Sequence, residues 1–163
     1  MKKVIFLFLI SLFFISNVSS AQISIVDITF LLKNSNKGKN IQKELDSLNS
    51  KNLKLFEEKK KKKKVKKKKK ASKRNILSEE DFNNEVLKFR KEVAKYENER
   101  KKSVQKINNI KVSKIAKLLG EINTILVDYS SKNSITTIID KKNVIITKQE
   151  NDITKEILKI LNN

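Results

Sequence analysis

The chain contains no proline and only two glycines, Gly38 and Gly120, in 163 residues. Proline and glycine interrupt helices most strongly, so their scarcity favours long, unbroken helices. Cysteine and histidine are absent as well, which excludes disulfides, thiol chemistry, Cys/His zinc sites and histidine-activated nucleophiles. Two glycines also cannot build a glycine-rich phosphate loop. The sequence therefore predicts a mainly helical non-enzyme with no cofactor and no metal site.

The first 21 residues have the pattern of a cleaved secretory signal. Lys2 and Lys3 provide a positive start, residues 4–15 are apolar apart from Ser11, and small residues lead up to Ala21. As a helix, the apolar core spans about 18 Å, which is shorter than the ~30 Å hydrocarbon layer of a bilayer. We therefore expect export and cleavage after Ala21, and not a membrane anchor.

Short β-branched segments at both ends of the remaining chain predict a small sheet. Residues 22–28 form one such segment, and residues 134–140 and 143–147 form two more, joined by two lysines. The latter pair predicts a β-hairpin, and the first segment has no partner except this hairpin. So small a sheet favours completion by oligomerisation.

Between these segments, two stretches carry apolar residues at alternating intervals of four and three, as in helices that pack as coiled coils. Ser78 and Asp81 form a capping-box pattern at the start of the second stretch. The pattern predicts an antiparallel helical hairpin. Its seam would contain Ile41, Leu45, Leu48 and Leu55 in the first helix, and Phe82, Val86, Phe89, Val93 and Tyr96 in the second.

A turn near Arg74 fixes the predicted register of this hairpin. It would place Leu55 beside Val93 and Ile41 beside Ile107. A helix pair of this length has room for a seam but not for a globular core, so we expect a flexible arm.

The order of these elements resembles the Skp/OmpH family of periplasmic chaperones. The resemblance covers essentially the whole chain after residue 21. It rests on ISIVDI at residues 23–28, SNKGKNIQKEL at 35–45, the long hairpin, and TTIIDKKNVIITKQENDITKEILKILN at 136–162.

The resemblance implies a mainly α fold with a small β body (α+β), in which a long helical-hairpin tentacle projects from a strand-built trimerisation body. Residues 22–37 and 131–163 would form the body and residues 38–130 the tentacle, with a lysine-rich tip near residues 57–77. By the same resemblance, the body would include Ile23, Ile25, Ile138 and Ile145.

The function implied by the resemblance is that of an ATP-independent periplasmic holdase. Three subunits would hold unfolded outer-membrane β-barrel proteins in the cavity between their tentacles. Two alternatives remain open: a structural coiled-coil spacer in the envelope, and a basic protein that binds nucleic acid or another anionic polymer.

The lysine run, residues 59–70, is the segment that departs from the family pattern. It contains eleven lysines and Val65, within a chain of net charge +20. Lysines four apart repel each other by about 0.2 to 0.5 kcal/mol per pair, so the tip is expected to fray or move. The tip could be solvated without a specific partner. Alternatively, its charge could act through residues such as Lys62, Lys63, Lys66 and Lys67 on acidic clients, anionic lipid or lipopolysaccharide. No aromatic residue interrupts the run, so physiological nucleic-acid binding is not expected.

Overall fold

The computed structural model describes residues 22–72, 74 and 76–163, and the predicted secretory signal lies outside this part of the chain. The described elements, in chain order, are β1 (Gln22–Val26), α1 (Ile28–Asn34), α2 (Asn36–Ala71), α3 (Glu79–Lys132), β2 (Ile135–Asp140) and α4 (Thr154–Asn162). Short 3-10 turns occupy Lys141–Asn143 and Gln149–Asn151. The prediction of a mainly helical chain with a small β part and a long helical hairpin is confirmed.

The strands β1 and β2 form a two-stranded parallel sheet. Ile25 pairs with Ile139, and on its other side Ile25 makes an isolated bridge to Asp152. The backbone N–H of Ile153 donates to the carbonyl of Ile25 at 3.0 Å. Strand β1 therefore lies between β2 and the residues that lead into α4.

The predicted β-hairpin of residues 134–140 and 143–147 is wrong. Its first half forms β2, but Lys141–Asn143 is a 3-10 turn and residues 144–148 form no strand. The physical reason is that the Asp140 carboxylate accepts a hydrogen bond from the Lys142 N–H and caps the 3-10 turn, which leads the chain away from β2 and back to the free edge of β1 at Asp152 and Ile153. An ion pair of 2.7 Å between Lys141 and Asp152 closes the loop at its base.

The hydrophobic core joins the strands to three helices. Val26, Leu31, Ile135, Ile153, Ile157 and Leu161 pack there with Leu118 and Ile122 of α3. We call this part of the molecule the body. Because Leu118 and Ile122 belong to it, the body includes the C-terminal part of α3, which the sequence had assigned to the tentacle. The part of α3 before Leu118 and the facing part of α2 form an antiparallel pair, which we call the arm.

Side-chain caps set where the arm helices begin. The hydroxyl of Ser35 accepts a hydrogen bond from the Gly38 N–H at 3.1 Å, and the hydroxyl of Ser78 accepts one from the Asp81 N–H at 3.1 Å. Each cap satisfies a donor that the first helical turn leaves free. The helix start predicted at Ser78 is thus confirmed.

The register of the arm differs from the prediction. Phe56 contacts Tyr96, about one turn further along α3 than expected, and Ile41 shares a groove with Ile115, about two turns further than the expected Ile107. Side chains of a helix tilt towards its N-terminus, so those of α2 point away from the tip and those of α3 point towards it. This opposite tilt shifts every contact in the direction observed.

Candidate functional site

Two aromatic residues mark the last buried contact of the arm before its tip. The rings of Phe56 and Tyr96 pack edge to face, with centroids 5.7 Å apart and planes at 66°. They are 6% and 8% exposed, and the Tyr96 hydroxyl donates to the Phe56 carbonyl at 3.2 Å. An aromatic pair of this geometry contributes about 0.5 to 1.5 kcal/mol beyond its buried area. Among the described residues between Phe56 and Tyr96, no further side chain is buried.

Beyond this pair, lysines of α2 continue the seam. Their ammonium groups form ion pairs with glutamates of α3: Lys59 with Glu99 at 2.7 Å, Lys66 with Glu92 at 3.2 Å, and Lys70 with Glu85 at 2.8 Å. Lys63 donates to the backbone carbonyl of Glu92. We call these four lysines the lysine seam, since they keep the three-and-four spacing of the apolar positions before them.

Aromatic rings support the lysine seam as well. The ammonium groups of Lys59, Lys63 and Lys70 lie 5.3, 5.2 and 5.8 Å from the ring centroids of Phe56, Tyr96 and Phe89, respectively. Such contacts contribute about 0.5 to 1 kcal/mol at exposed sites, and exposed ion pairs typically about 0 to 1 kcal/mol. Together they oppose the repulsion between neighbouring lysines. Helix α2 accordingly continues to Ala71, through the segment that the sequence predicted to fray or move.

The ion pairs change the acidity of their glutamates. A hydrogen bond from Lys70, reinforced by its charge, lowers the pKa of Glu85. Lys59 lowers the pKa of Glu99 in the same way. Near the body, a hydrogen bond from Lys37 lowers the pKa of Glu121. These carboxylates therefore remain charged to a lower pH than an isolated glutamate.

The lysine seam was missed at the sequence level, although the sequence contains a signal for it. Glu85, Glu92 and Glu99 follow one another at intervals of seven residues, the heptad period of a coiled coil. Lys59 and Lys66 have the same interval on the other helix. Two matched heptad series of opposite charge would have predicted an ionic seam.

The predicted apolar seam residues lie at several depths. In α2, Leu45 is buried and Ile41 and Leu48 are half-buried, whereas Leu55 is 48% exposed and Phe56 occupies the seam position beside it. In α3, Tyr96 is buried, and the half-buried residues are Phe82, Val86, Phe89 and Val93. One layer of the seam, between α2 and α3 on the body side of Phe56 and Tyr96, is polar. There the hydroxyl of Ser103 donates to the side-chain oxygen of Asn52 at 2.6 Å.

The four isoleucines predicted for the body also differ in burial. Ile25 is 3% exposed, and Ile138 packs at the edge of the core. Ile23 is 48% exposed, and Ile145 is fully exposed together with its neighbour Ile146. In one chain, the body therefore leaves apolar side chains uncovered at β1 and at residues 145–146.

The lysines named for an electrostatic tip fall into two groups. Lys63 and Lys66 belong to the lysine seam, whereas Lys62 and Lys67 are exposed and form no ion pair with any described residue. In the described part of the chain, no three acidic side chains are grouped to hold a metal ion. No described helix combines the length and apolarity needed to cross a bilayer.

Comparisons with known proteins agree with this architecture. A family model described as outer membrane protein (OmpH-like) matches residues 22–161. A crystal structure from Caulobacter crescentus CB15, described as that of a candidate outer membrane chaperone (OmpH-like), superposes with a TM-score of 0.81 at 11% identity. That superposition covers 88% of this chain and 85% of the other, and at such identity it concerns the fold alone. No protein with a curated description matches the sequence.

Proposed function

The chain belongs to the OmpH-like family of outer membrane proteins, and we propose that it is a periplasmic chaperone that holds unfolded outer-membrane β-barrel proteins without ATP. The export pattern of residues 1–21 supports the compartment. The lack of a glycine-rich phosphate loop fits a binding cycle that does not use nucleotide.

The observation that carries this proposal is the surface of the arm. Six large apolar side chains on its two helices are between 47% and 66% exposed, namely Leu53, Leu55, Val65, Leu87, Val104 and Val112. They are separated by charged residues and so form no single apolar patch. Unfolded barrel strands alternate apolar and polar side chains. Many weak apolar contacts in a positive field suit such clients better than one defined pocket does.

A homotrimer would provide the cavity in which clients are held. In the part of the chain that the structure describes, the sheet has two strands, and Ile23, Ile145 and Ile146 are left exposed beside it. Exposed isoleucines next to a small sheet are typical of a subunit interface. We assign these residues to contacts between bodies, from which three arms would project.

The exposed lysines near the tip would add long-range attraction for acidic segments. Charge complementarity raises association rates more than it raises affinity, and salt weakens it. Anionic lipid and lipopolysaccharide would be attracted by the same charge, so we include them as further partners.

The test is an aggregation assay with a urea-denatured outer-membrane β-barrel protein. The client is diluted at moderate salt, without nucleotide, into buffer with or without this protein purified after export. We expect light scattering to be suppressed and a soluble complex of about three chains per client to sediment. Full aggregation in the presence of the folded oligomer would disprove the chaperone proposal and favour the envelope spacer or the anionic-polymer binder. An unrelated basic protein at equal charge concentration controls for simple electrostatic solubilisation.

A further inference from the structure

A groove runs along the arm near its tip, between α2 and α3. It has a volume of about 470 Å³, and its lining extends from Leu53 to Lys67 along α2. At 1.5 Å per residue this stretch is about 21 Å long, which an extended peptide of about six residues would span.

The floor of the groove is aromatic. Phe56 and Tyr96 form its buried base, and Phe89 and Val93 extend it as half-buried side chains. Phe56 and Tyr96 are nearly covered, with Lys59 and Lys63 over their rings, so the ring and aliphatic surface that the floor offers to a ligand comes mainly from Phe89 and Val93. Leu53, 64% exposed, adds apolar surface at one end.

The edge of the groove is cationic. Five basic side chains and two carboxylates line it, which gives a net charge of +3. Lys60, Lys64 and Lys67 follow a helical stripe on α2, are exposed, and pair with no carboxylate among the described residues. They differ in this from Lys59, Lys66 and Lys70, whose charges are held by α3. The basic residue from α3 is Arg100, which also interrupts the apolar seam in the sequence.

We propose that this tip groove is a binding subsite for unfolded client segments that carry aromatic and acidic side chains close together. The inference rests on the proposed chaperone function and specifies which client segments the arm prefers. Aromatic side chains anchor well in partly desolvated apolar clefts. Unpaired lysines at the edge would then meet the acidic side chains of the same segment.

A membrane surface is a poorer match for this geometry. Anionic headgroups would be attracted by every exposed lysine of residues 59–70, irrespective of whether it lines the groove. The aromatic floor instead distinguishes Lys60, Lys64 and Lys67 from lysines elsewhere on the same helix. This difference allows a matched comparison of variants.

The experiment measures fluorescence anisotropy of labelled peptides with the assembled protein. One peptide of about eight residues combines aromatic and acidic side chains, since an extended chain of that length covers the groove. In a second peptide the acids are replaced by amides, in a third the aromatics by alanine, and in a fourth the acids by lysine. We expect the aromatic and acidic peptide to bind at least about tenfold more tightly than each of the others.

Two triple variants locate the binding. The first, Lys60→Gln with Lys64→Gln and Lys67→Gln, removes three charges from the groove. The control, Lys61→Gln with Lys62→Gln and Lys68→Gln, removes three exposed charges from the same helix outside it. We expect the groove variant to weaken the preferred peptide about tenfold and the control less than about twofold. Circular dichroism and sedimentation establish that both variants stay folded and assembled.

Equal weakening by the two triples would overturn the proposal, because it would mean that only net charge matters. Binding of phosphatidylglycerol vesicles that the groove triple alone abolishes, with peptide binding unchanged, would also overturn it in favour of lipid. The aggregation assay separates this proposal from the broader one. Suppressed aggregation without peptide preference leaves the chaperone function standing and removes the groove. Peptide preference without suppressed aggregation leaves the groove standing as a peptide-binding site and removes the chaperone function.

Discussion

Gly38 occupies the corner between α1 and α2, where no larger residue fits. A Cβ atom added to Gly38 would overlap the backbone carbonyl oxygen of Leu32, and it would also approach the hydroxyl of Ser35. Ser35 is fully buried and caps α2 through the Gly38 N–H. The corner therefore depends on a close approach of two backbones, which only glycine permits.

At this residue, Gly38→Ala is expected to destabilise the protein by at least about 2 kcal/mol, because a backbone atom must move to make room. Gly120→Ala is the matched control, since a Cβ there meets nothing within 4 Å and lies inside α3. It should stabilise the protein by about 0.5 to 1 kcal/mol. Urea midpoints at equal protomer concentration give both values. Equal midpoints for Gly38→Ala and the parent protein would show that the corner is not tight.

At the scale of the element, the two parts of the arm are held by different contacts. The part between Phe56 and the turn, which we call the outer arm, is held by charge, and the inner arm, nearer the body, is held by apolar contact. Four lysines of α2 take the usual apolar positions between Phe56 and the turn, and three carboxylates of α3 pair with three of these lysines. Ion pairs of this exposure are individually weak and are screened by salt. The outer arm should therefore respond to pH and ionic strength more than the inner arm does.

We expect the outer arm to open on acidification. The pKa values of Glu85 and Glu99 are lowered in the folded arm. Their stabilising effect is thus complete above the pKa of an unfolded glutamate, ~4.3, and is lost as the pH falls through the lower folded values. Neighbouring lysine charges would then repel one another without carboxylate charges beside them.

Spin labels can measure this opening directly, since the chain has no native cysteine. Cysteines introduced at Lys61 and Lys91, both exposed, should move apart as the pH falls from neutral to below the glutamate pKa values. A triple variant of Glu85, Glu92 and Glu99 to glutamine should show the wider separation already at neutral pH. An unchanged distance in that variant would mean that the ion pairs do not hold the outer arm together.

At the scale of the whole molecule, the exposed isoleucines of the body indicate a surface for contact between subunits. Ile145 and Ile146 extend from the body on a loop whose base is fixed by the pair of Lys141 and Asp152. Their burial between subunits would remove apolar surface from water at about 25 cal/mol per Å². Such burial would leave the fold of each chain unchanged, since neither side chain contributes to the core.

The substitution Ile145→Asp should therefore prevent formation of the proposed trimer while leaving the secondary structure of each chain intact. Sedimentation velocity measures the first effect and circular dichroism the second. Ile76→Asp, at a side chain that is 81% exposed in the turn of the arm, is the matched control and should leave assembly unchanged. Ile138→Asp should impair both assembly and folding, because Ile138 packs against the core. An Ile145→Asp protein that sediments as the parent trimer would exclude this loop from the interface.

The sequence alone determined the elements whose causes are local. The scarcity of glycine and proline favoured long helices, the apolar spacing of residues 82–96 marked the inner face of α3, and Ser78 marked its start. Each of these properties depends on interactions within a few residues along the chain, so periodicity and capping patterns contain them. The segments β1 and β2 were predicted for the same reason.

Only the tertiary structure decided what each element packs against. It gave β1 a parallel partner, and after residues 144–148 it returned the chain to the other edge of β1 at Asp152. It shifted the arm by about one to two turns, put Phe56 in the place expected for Leu55, and paired the lysine run with glutamates of α3. These outcomes depend on contacts between residues far apart in sequence. They are set by side-chain tilt, the strand edge to which the chain returns and the facing charges of another helix, none of which is visible in one segment taken alone.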